Sequence, residues 1–356
     1  MKICVVGVGR WGRNHVRVLS ELLDKGLVDE LVVCDKNAAA ARRAAEAFKA
    51  DAFYDDPAEM VSKEHPDGII VAVPTLYHYR VATQLLPHAD LLVEKPIAAT
   101  LEEAKSLILE ASTHGRIIMV GHIERFNQGL ASLKEEVEDM VKSGDEIVYI
   151  NAQRVGPGPA RGRSLNLGVA HDLMVHDLDA IYYLLGCLTN RVVAVAKRVP
   201  WFEHEVEVDA LYTFDNGAET VASLRASYVS SPTFKKRKII VQTLSANITF
   251  DYILQSYTVE RGVTEHRLST SFMEVISAYS AEDVKTRRLL FKRENEPLLL
   301  EDKHFIDVLR GRADPLVTGV DGYIALKNAV KALESSAKGR AVEIIWDEPF
   351  VEPETR

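Results

Sequence analysis

In the first third of the chain, short apolar runs alternate with stretches in which apolar residues recur at helical spacing. Lys2 to Val6, Leu31 to Cys34, Gly68 to Val73, Leu91 to Val93 and Ile117 to Val120 are rich in β-branched residues and read as strands buried on both faces. Between them, Val16, Leu19, Leu22 and Leu23 mark one helix, and Ala38 to Lys49 a second. A short helix opens at Asp56-Pro57, another runs from about Tyr77 to Leu86, and a capping box of Thr100 and Glu103 starts one that ends at His114-Gly115. This alternation predicts an α/β domain, a doubly wound parallel sheet.

After Ile147 the pattern changes. Strands follow at short spacing: Ile147 to Arg154, Val192 to Val199, a pair joined by the hairpin signal Asn216-Gly217, then Lys238 to Thr243 and Ala246 to Phe250. One pronounced helix, Gly168 to Gly186, interrupts them, and late helices near Leu298 to Leu309 and Gly322 to Ala337 precede a last strand near Val342 to Trp346. The expectation is a second, α+β domain with an open, mainly antiparallel sheet. Boundaries fall at 1–122 for the first domain and 123–318 for the second, with a helix at about 319–340 returning to the first.

A chain of 356 residues suits two such cores. The net charge of −9, with no basic stripe, argues against a nucleic-acid partner. No apolar run approaches the roughly 18 residues of a membrane span, and the chain starts directly in a strand, so the expected location is cytoplasmic. Cys4, Cys34 and Cys187 are an odd number in apolar settings and read as buried, reduced core residues.

Chemistry enters at the first turn. Gly7-Val8-Gly9-Arg10-Trp11-Gly12 is a G-x-G-x-x-G that follows a strand and opens a helix. In that setting the glycines permit a tight turn, close approach of a pyrophosphate to backbone, and close packing of helix on strand. Asp35 ends the next strand, where a carboxylate accepts ribose hydroxyls and repels a 2′-phosphate. Gly7, Gly9, Arg10, Trp11, Gly12, Asp35 and Lys36 are therefore the candidate dinucleotide-binding residues, and NAD is the expected cofactor. Lys36, Arg42 and Arg43 are the residues nearby that would suit NADP instead.

In a doubly wound sheet the ligand lies beyond the carboxyl ends of the strands. Polar groups stand there in Pro74-Thr75-Leu76-Tyr77-His78, in Glu94-Lys95-Pro96 and in Gly121-His122-Ile123-Glu124-Arg125-Phe126-Asn127. On the helix after Gly168, Asp172, His176, Asp179 and Tyr183 share one stripe, opposite Leu173, Met174, Leu178, Ile181, Leu184 and Leu185. His171 and His176, five apart, point away from each other, so no metal site is expected. Alcohol oxidation needs a base at the hydroxyl while the carbon's hydride faces a nicotinamide. His176, oriented by Asp172, and Lys95 are the candidates.

The ordered set of Gly7 to Gly12, Thr75 to His78, Glu94-Lys95-Pro96 and Asp172 with His176 resembles the glucose-fructose oxidoreductase and inositol dehydrogenase family (Gfo/Idh/MocA), nearly end to end. The resemblance implies Lys95 and His176 as the acid/base pair with Asp172 in support. It further implies Thr75, His78 and Glu94 beside the cofactor, and Arg125 near cofactor or substrate. It also implies oxidation of sugars or polyols by a homodimer or homotetramer that associates through the open face of the second sheet.

Arg154, Arg161 and Arg163 stand in a Gly/Pro-rich loop of an acidic protein and suggest an anion site, because guanidinium groups match phosphate oxygens bidentately. Lys235 and Arg237 are weaker candidates. With the segment Gly121 to Asn127, this loop looks like the UDP-N-acetylglucosamine 3-dehydrogenase branch. That implies a nucleotide-sugar substrate held by these arginines, with Asp172, His176 and Asp179 facing the sugar. Three alternatives stand beside it: a dehydrogenase of a free polyol such as inositol, an NAD-dependent glycosidase, and a non-catalytic NAD-binding sensor.

Overall fold

The computed structural model describes residues 1–158, 167–214, 216–217, 219–231, 233–261, 283–288 and 293–346. The chain divides into two units, Met1–Phe126 with Arg293–Lys327, and Asn127–Lys292 with Asn328–Arg356. The first boundary thus falls at Phe126, and 293–318 groups with the first unit.

The first unit holds strands β1 (Lys2–Val6), β2 (Glu30–Cys34), β3 (Ala52–Tyr54), β4 (Gly68–Val71), β5 (Asp90–Glu94) and β6 (Ile118–Gly121). They form a parallel six-stranded sheet in the order β3-β2-β1-β4-β5-β6. The order reverses between β1 and β4, which opens a crevice at the carboxyl ends of those two strands. Interior strands such as Cys4 to Val6 and Ile69 to Val71 are buried, because helices cover both faces. The short β3 has no matching signal among the sequence-predicted strands, since only three residues contribute.

Around this sheet lie α1 (Arg10–Asp24), α2 (Ala38–Phe48), α3 (Pro57–Glu64), α4 (His78–Leu85) and α5 (Leu101–His114). Side chains start three of them: Asn37 accepts from the Ala40 N–H, Asp56 from those of Ala58 and Glu59, and Thr100 from that of Glu103. The Thr100 capping box is offset by one residue, because Glu103 accepts from the Ala99 N–H. A further helix, α8 (Pro297–Leu309), packs against β4 so closely that a Cβ on Gly68 would meet Leu309 at 2.5 Å.

Among the described residues, the second unit holds α6 (Gln128–Lys142), α7 (Val175–Leu185) and nine strands: β7 (Ile147–Val155), β8 (Thr189–Val199), β9 (Phe202–Phe214), β10 (Val221–Ser227), β11 (Lys236–Thr243), β12 (Ala246–Asp251), β13 (Ser256–Arg261), β14 (Asp283–Arg288) and β15 (Val342–Glu343). Their order is β14-β13-β12-β11-β7-β10-β9-β8-β15. All neighbours are antiparallel except β7 and β10, which run parallel with Ala152 beside Leu224. Ile150, Ala152, Leu224, Ile239, Val241 and Phe250 fill the inner face. The other face keeps a polar row of Tyr149, Asn151 and Ser223, joined by hydrogen bonds to the Ser223 hydroxyl, and exposes Val193, Val195 and Leu211. The last long helix, α9 (Gly319–Lys338), contributes its first half to one unit and its second half to the other.

The three cysteines carry no disulfide. Cys4 and Cys34 are buried in adjacent paired strands, but Cys187 is only partly covered. Burial pushes the thiol of Cys34 up to about 12 and that of Cys187 up to about 11. Among the described residues, no helix is long and apolar enough to cross a membrane.

Candidate active site

The glycine turn between β1 and α1 is built for close approach. Gly7 takes φ +92°, and a Cβ there would lie 2.7 Å from the Ala72 carbonyl. A Cβ on Gly12 would lie 1.7 Å from the Gly7 carbonyl oxygen, so helix and turn pack as they do only with glycine at both positions. Gly9 faces open space instead. No side chain caps the α1 N-terminus and no acidic residue occupies its first turn. The positive end of the helix dipole and its unpartnered N–H groups are thus directed at the space that Gly9 leaves, a fit for a diphosphate.

The Asp35 carboxylate closes one side of this space. Its Oδ2 accepts the Val8 N–H at 2.9 Å and its Oδ1 the Asn37 N–H at 2.9 Å. Two backbone bonds fix the carboxylate at the end of β2 and leave lone pairs for ribose hydroxyls. Arg10, Trp11 and Lys36 are exposed nearby, with the Lys36 amine 5.4 Å from the centre of the Tyr77 ring. Thr75 opens a short 3₁₀ turn after β4.

Glu94 ends β5 and Lys95 follows it, partly covered. Glu94 is 8% exposed, and its Oε1 lies 3.1 Å from His15 Nε2. Burial would raise the Glu94 carboxyl, but the His15 bond and charge, and the Lys95 charge, hold it below the usual carboxylate range. His15 itself is pushed well above the ordinary imidazole value. Burial opposes its charge, yet the carboxylates of Asp302, 2.7 Å away, and Glu94 outweigh that cost.

In the second unit a π-turn, Ala170–Met174, runs directly into α7, which ends at Gly186 with φ +63°. A buried Glu205 carboxylate accepts the Ala170 N–H at 3.0 Å and anchors the start of this segment. His176 is 8% exposed and Asp179 is buried. The Tyr228 hydroxyl donates to Asp172 Oδ2 at 2.7 Å. Tyr228 follows β10 and is packed against Gly158, where a Cβ would come 2.6 Å from the Tyr228 Cβ.

Residues 1–122 match the oxidoreductase family's NAD-binding Rossmann fold, and residues 139–344 match its C-terminal alpha/beta domain. The chain belongs to the Gfo/Idh/MocA oxidoreductase family. It is an NAD-dependent dehydrogenase. It is 26% identical to the scyllo-inositol 2-dehydrogenase (NAD(+)) of Bacillus subtilis, over 97% of this chain and 96% of the relative. With the UDP-N-acetylglucosamine 3-dehydrogenase of Acidithiobacillus ferrooxidans it shares 30% identity, over 70% of this chain and 74% of the relative. The solved structure of GnnA, a UDP-N-acetylglucosamine 3-dehydrogenase from the same organism, superposes with a TM-score of 0.77 at 24% identity, covering 95% of this chain and 98% of GnnA. A levoglucosan dehydrogenase complex with NADH and levoglucosan superposes with a TM-score of 0.82 at 17% identity, covering 97% and 99%.

Three expected site residues are held by other groups of the protein. Arg154 does not face outward as part of an anion loop: it is 1% exposed, donates through Nε and Nη2 to Asp177, and lies 4.9 Å over the Tyr252 ring. A strand residue on the inner face of a sheet points into the core, so Arg154 needed a buried partner. His78 is buried with Nδ1 2.9 Å from the Pro96 carbonyl and Nε2 2.8 Å from that of Val73, tying the loops after β4 and β5 together. Burial lowers its pKa, so a neutral ring donates to one of these oxygens at a time. Arg125 is buried and pairs with Asp321 at 2.9 Å and with the Leu316 carbonyl at 3.0 Å. Arg161 and Arg163 lie outside the described residues.

Sequence reasoning missed His15, Asp302, Asp177, Glu205 and Tyr228. His15 carried a faint signal, a polar residue among the buried positions of α1. The others carried none, since their partners come from distant elements. His15, Glu301 and Asp302 also present ligand atoms within 4.8 Å of one another. Both His15 nitrogens already face carboxylates, which makes this an ion-pair network.

Proposed function

We propose that this dehydrogenase oxidises a secondary hydroxyl of a UDP-linked amino sugar, at C3 and to the ketone, with NAD. The observation that carries the reading is the 30% identity with a UDP-N-acetylglucosamine 3-dehydrogenase over 254 residues. Backbone N–H groups at the start of α1, beside Gly9, would hold the cofactor diphosphate, and Asp35 its adenosine ribose. Hydride acceptance is the chemistry that NAD supplies when bound. His176 and Lys95 act as the acid/base pair: the hydroxyl proton passes to one of them, and the other hydrogen-bonds the same oxygen. Asp172 and Asp179 support His176 and the sugar hydroxyls.

A second reading is a free cyclitol or sugar as substrate. The inward turn of Arg154 favours it, because one of the three arginines expected to hold a diphosphate is already neutralised by Asp177. The end-to-end match with an inositol dehydrogenase supports it too.

An NADH absorbance assay across UDP-N-acetylglucosamine, its uronate, myo-inositol, scyllo-inositol and glucose separates the two. Turnover of a UDP-sugar, lost by about a hundredfold or more in His176→Ala and Lys95→Ala, is the expected result. Turnover of inositols alone would transfer the conclusion to the second reading. The exposed Val193, Val195 and Leu211 on the outer face of the second sheet suit association of two copies. Light scattering on wild type and Val195→Glu tests that.

A further inference from the structure

Four buried ionisable groups of the first unit, unused by the proposed proton transfers, meet at one place. His15 stands on α1, three residues after the last glycine of the turn, and is 0% exposed. Its Nδ1 lies 2.7 Å from Asp302 Oδ1 on α8, and its Nε2 lies 3.1 Å from Glu94 Oε1. Glu301 is buried beside Asp302. The second Glu94 oxygen, Oε2, accepts the backbone N–H of Lys95 at 3.1 Å. Gly121 on the neighbouring strand makes room for that carboxylate, since a Cβ there would come 3.3 Å from Oε2.

A buried network of this kind adds little stability over an apolar filling of the same volume. Its contacts nevertheless run in one direction, from α8 through α1 to the peptide that carries Lys95.

We propose that His15 is a positioning residue: held by Asp302, it clamps the Glu94 carboxylate, which in turn fixes the Glu94–Lys95 peptide and the direction of the Lys95 amine. This rests on the reading of Lys95 as one of the acid/base pair. It also links the helix that would carry the cofactor diphosphate to the strand end that carries the reacting amine. Any loosening of α1 would therefore reach Lys95 through a chain of short polar contacts.

The test uses cofactor-free, full-length protein whose lysines are reductively methylated with ¹³C. The Lys95 signal is identified by its absence in Lys95→Arg. His15→Gln and Asp302→Asn are each expected to move the Lys95 signal by more than its linewidth. In the active enzyme both should lower kcat about tenfold while KM for NAD changes less than about threefold. A Lys95 signal identical to wild type in both variants, with only a lower melting temperature, would overturn the proposal. So would unfolding of the isosteric Asp302→Asn, which would make the network a folding element, or a Lys95 shift on adding EDTA, which would assign the cluster to a metal ion. If wild type oxidises no sugar yet the Lys95 signal responds to His15→Gln, the functional reading fails and the positioning role stands.

Discussion

The hydroxyl of Tyr228 donates a 2.7 Å hydrogen bond to Asp172, one turn before His176 on the same helical segment. Tyr228 is covered, and burial first, then the Asp172 charge, lifts its pKa far above the ordinary phenol value, so it remains a donor across the working pH range. Asp172 is therefore oriented by the residue that follows β10.

Removing that hydroxyl should weaken catalysis without dismantling the site. A net hydrogen bond of about 1 kcal/mol predicts a fall in kcat of about fivefold for Tyr228→Phe, with KM for NAD unchanged. Steady-state kinetics on the variant decides it, and an unaltered kcat would show that Asp172 needs no such support.

Arg154 and Asp177 form a buried pair, and breaking one side leaves the other charge uncompensated. Arg154→Met and Asp177→Asn should each cost about 3–5 kcal/mol of unfolding free energy. Denaturant titration measures the loss. A full-stability Arg154→Met protein with a raised KM for UDP-sugar would return Arg154 to the substrate.

The glycine turn predicts a steric rather than a chemical sensitivity. Gly12→Ala places a Cβ 1.7 Å from the Gly7 carbonyl oxygen, which must shift helix or turn. NAD affinity should fall by about tenfold or more, about 1.4 kcal/mol, in a fluorescence titration. Gly9→Ala meets no protein atom, so its effect should appear in NAD binding and leave the melting temperature of the cofactor-free protein unchanged.

His15 has a folded-state pKa raised well above 6.5. A raised basic group contributes stability that is fully present below its unfolded pKa and is lost as pH rises through the folded value. The stability advantage of wild type over His15→Gln should therefore be full below about pH 6.5 and shrink as pH rises above it. Glu94, with a lowered pKa, contributes in the opposite sense: its share is present above the usual carboxylate pKa and is lost as pH falls through the folded value. Urea titrations of both proteins from pH 5 to 10 check the two limbs.

Local pattern determined a good deal of this protein. The strand runs Lys2–Val6 and Gly68–Val71, the caps at Asn37, Asp56 and Thr100, and the glycine turn all depend on neighbours within a few residues, so the first unit's parallel sheet and its NAD-binding character were legible in the chain. The parallel pairing of β7 with β10 was not, because strand pairing across some seventy residues leaves no local mark. The same holds for the charged side chains. Arg154 reads as a loop cation until the sheet turns it onto Asp177, and nothing local to His78 shows that its ring stands between two carbonyls. Whether a polar group faces a ligand or the interior is a question of which distant element covers it, and for His15, Asp302 and Tyr228 only the tertiary structure brings the partner within hydrogen-bond reach.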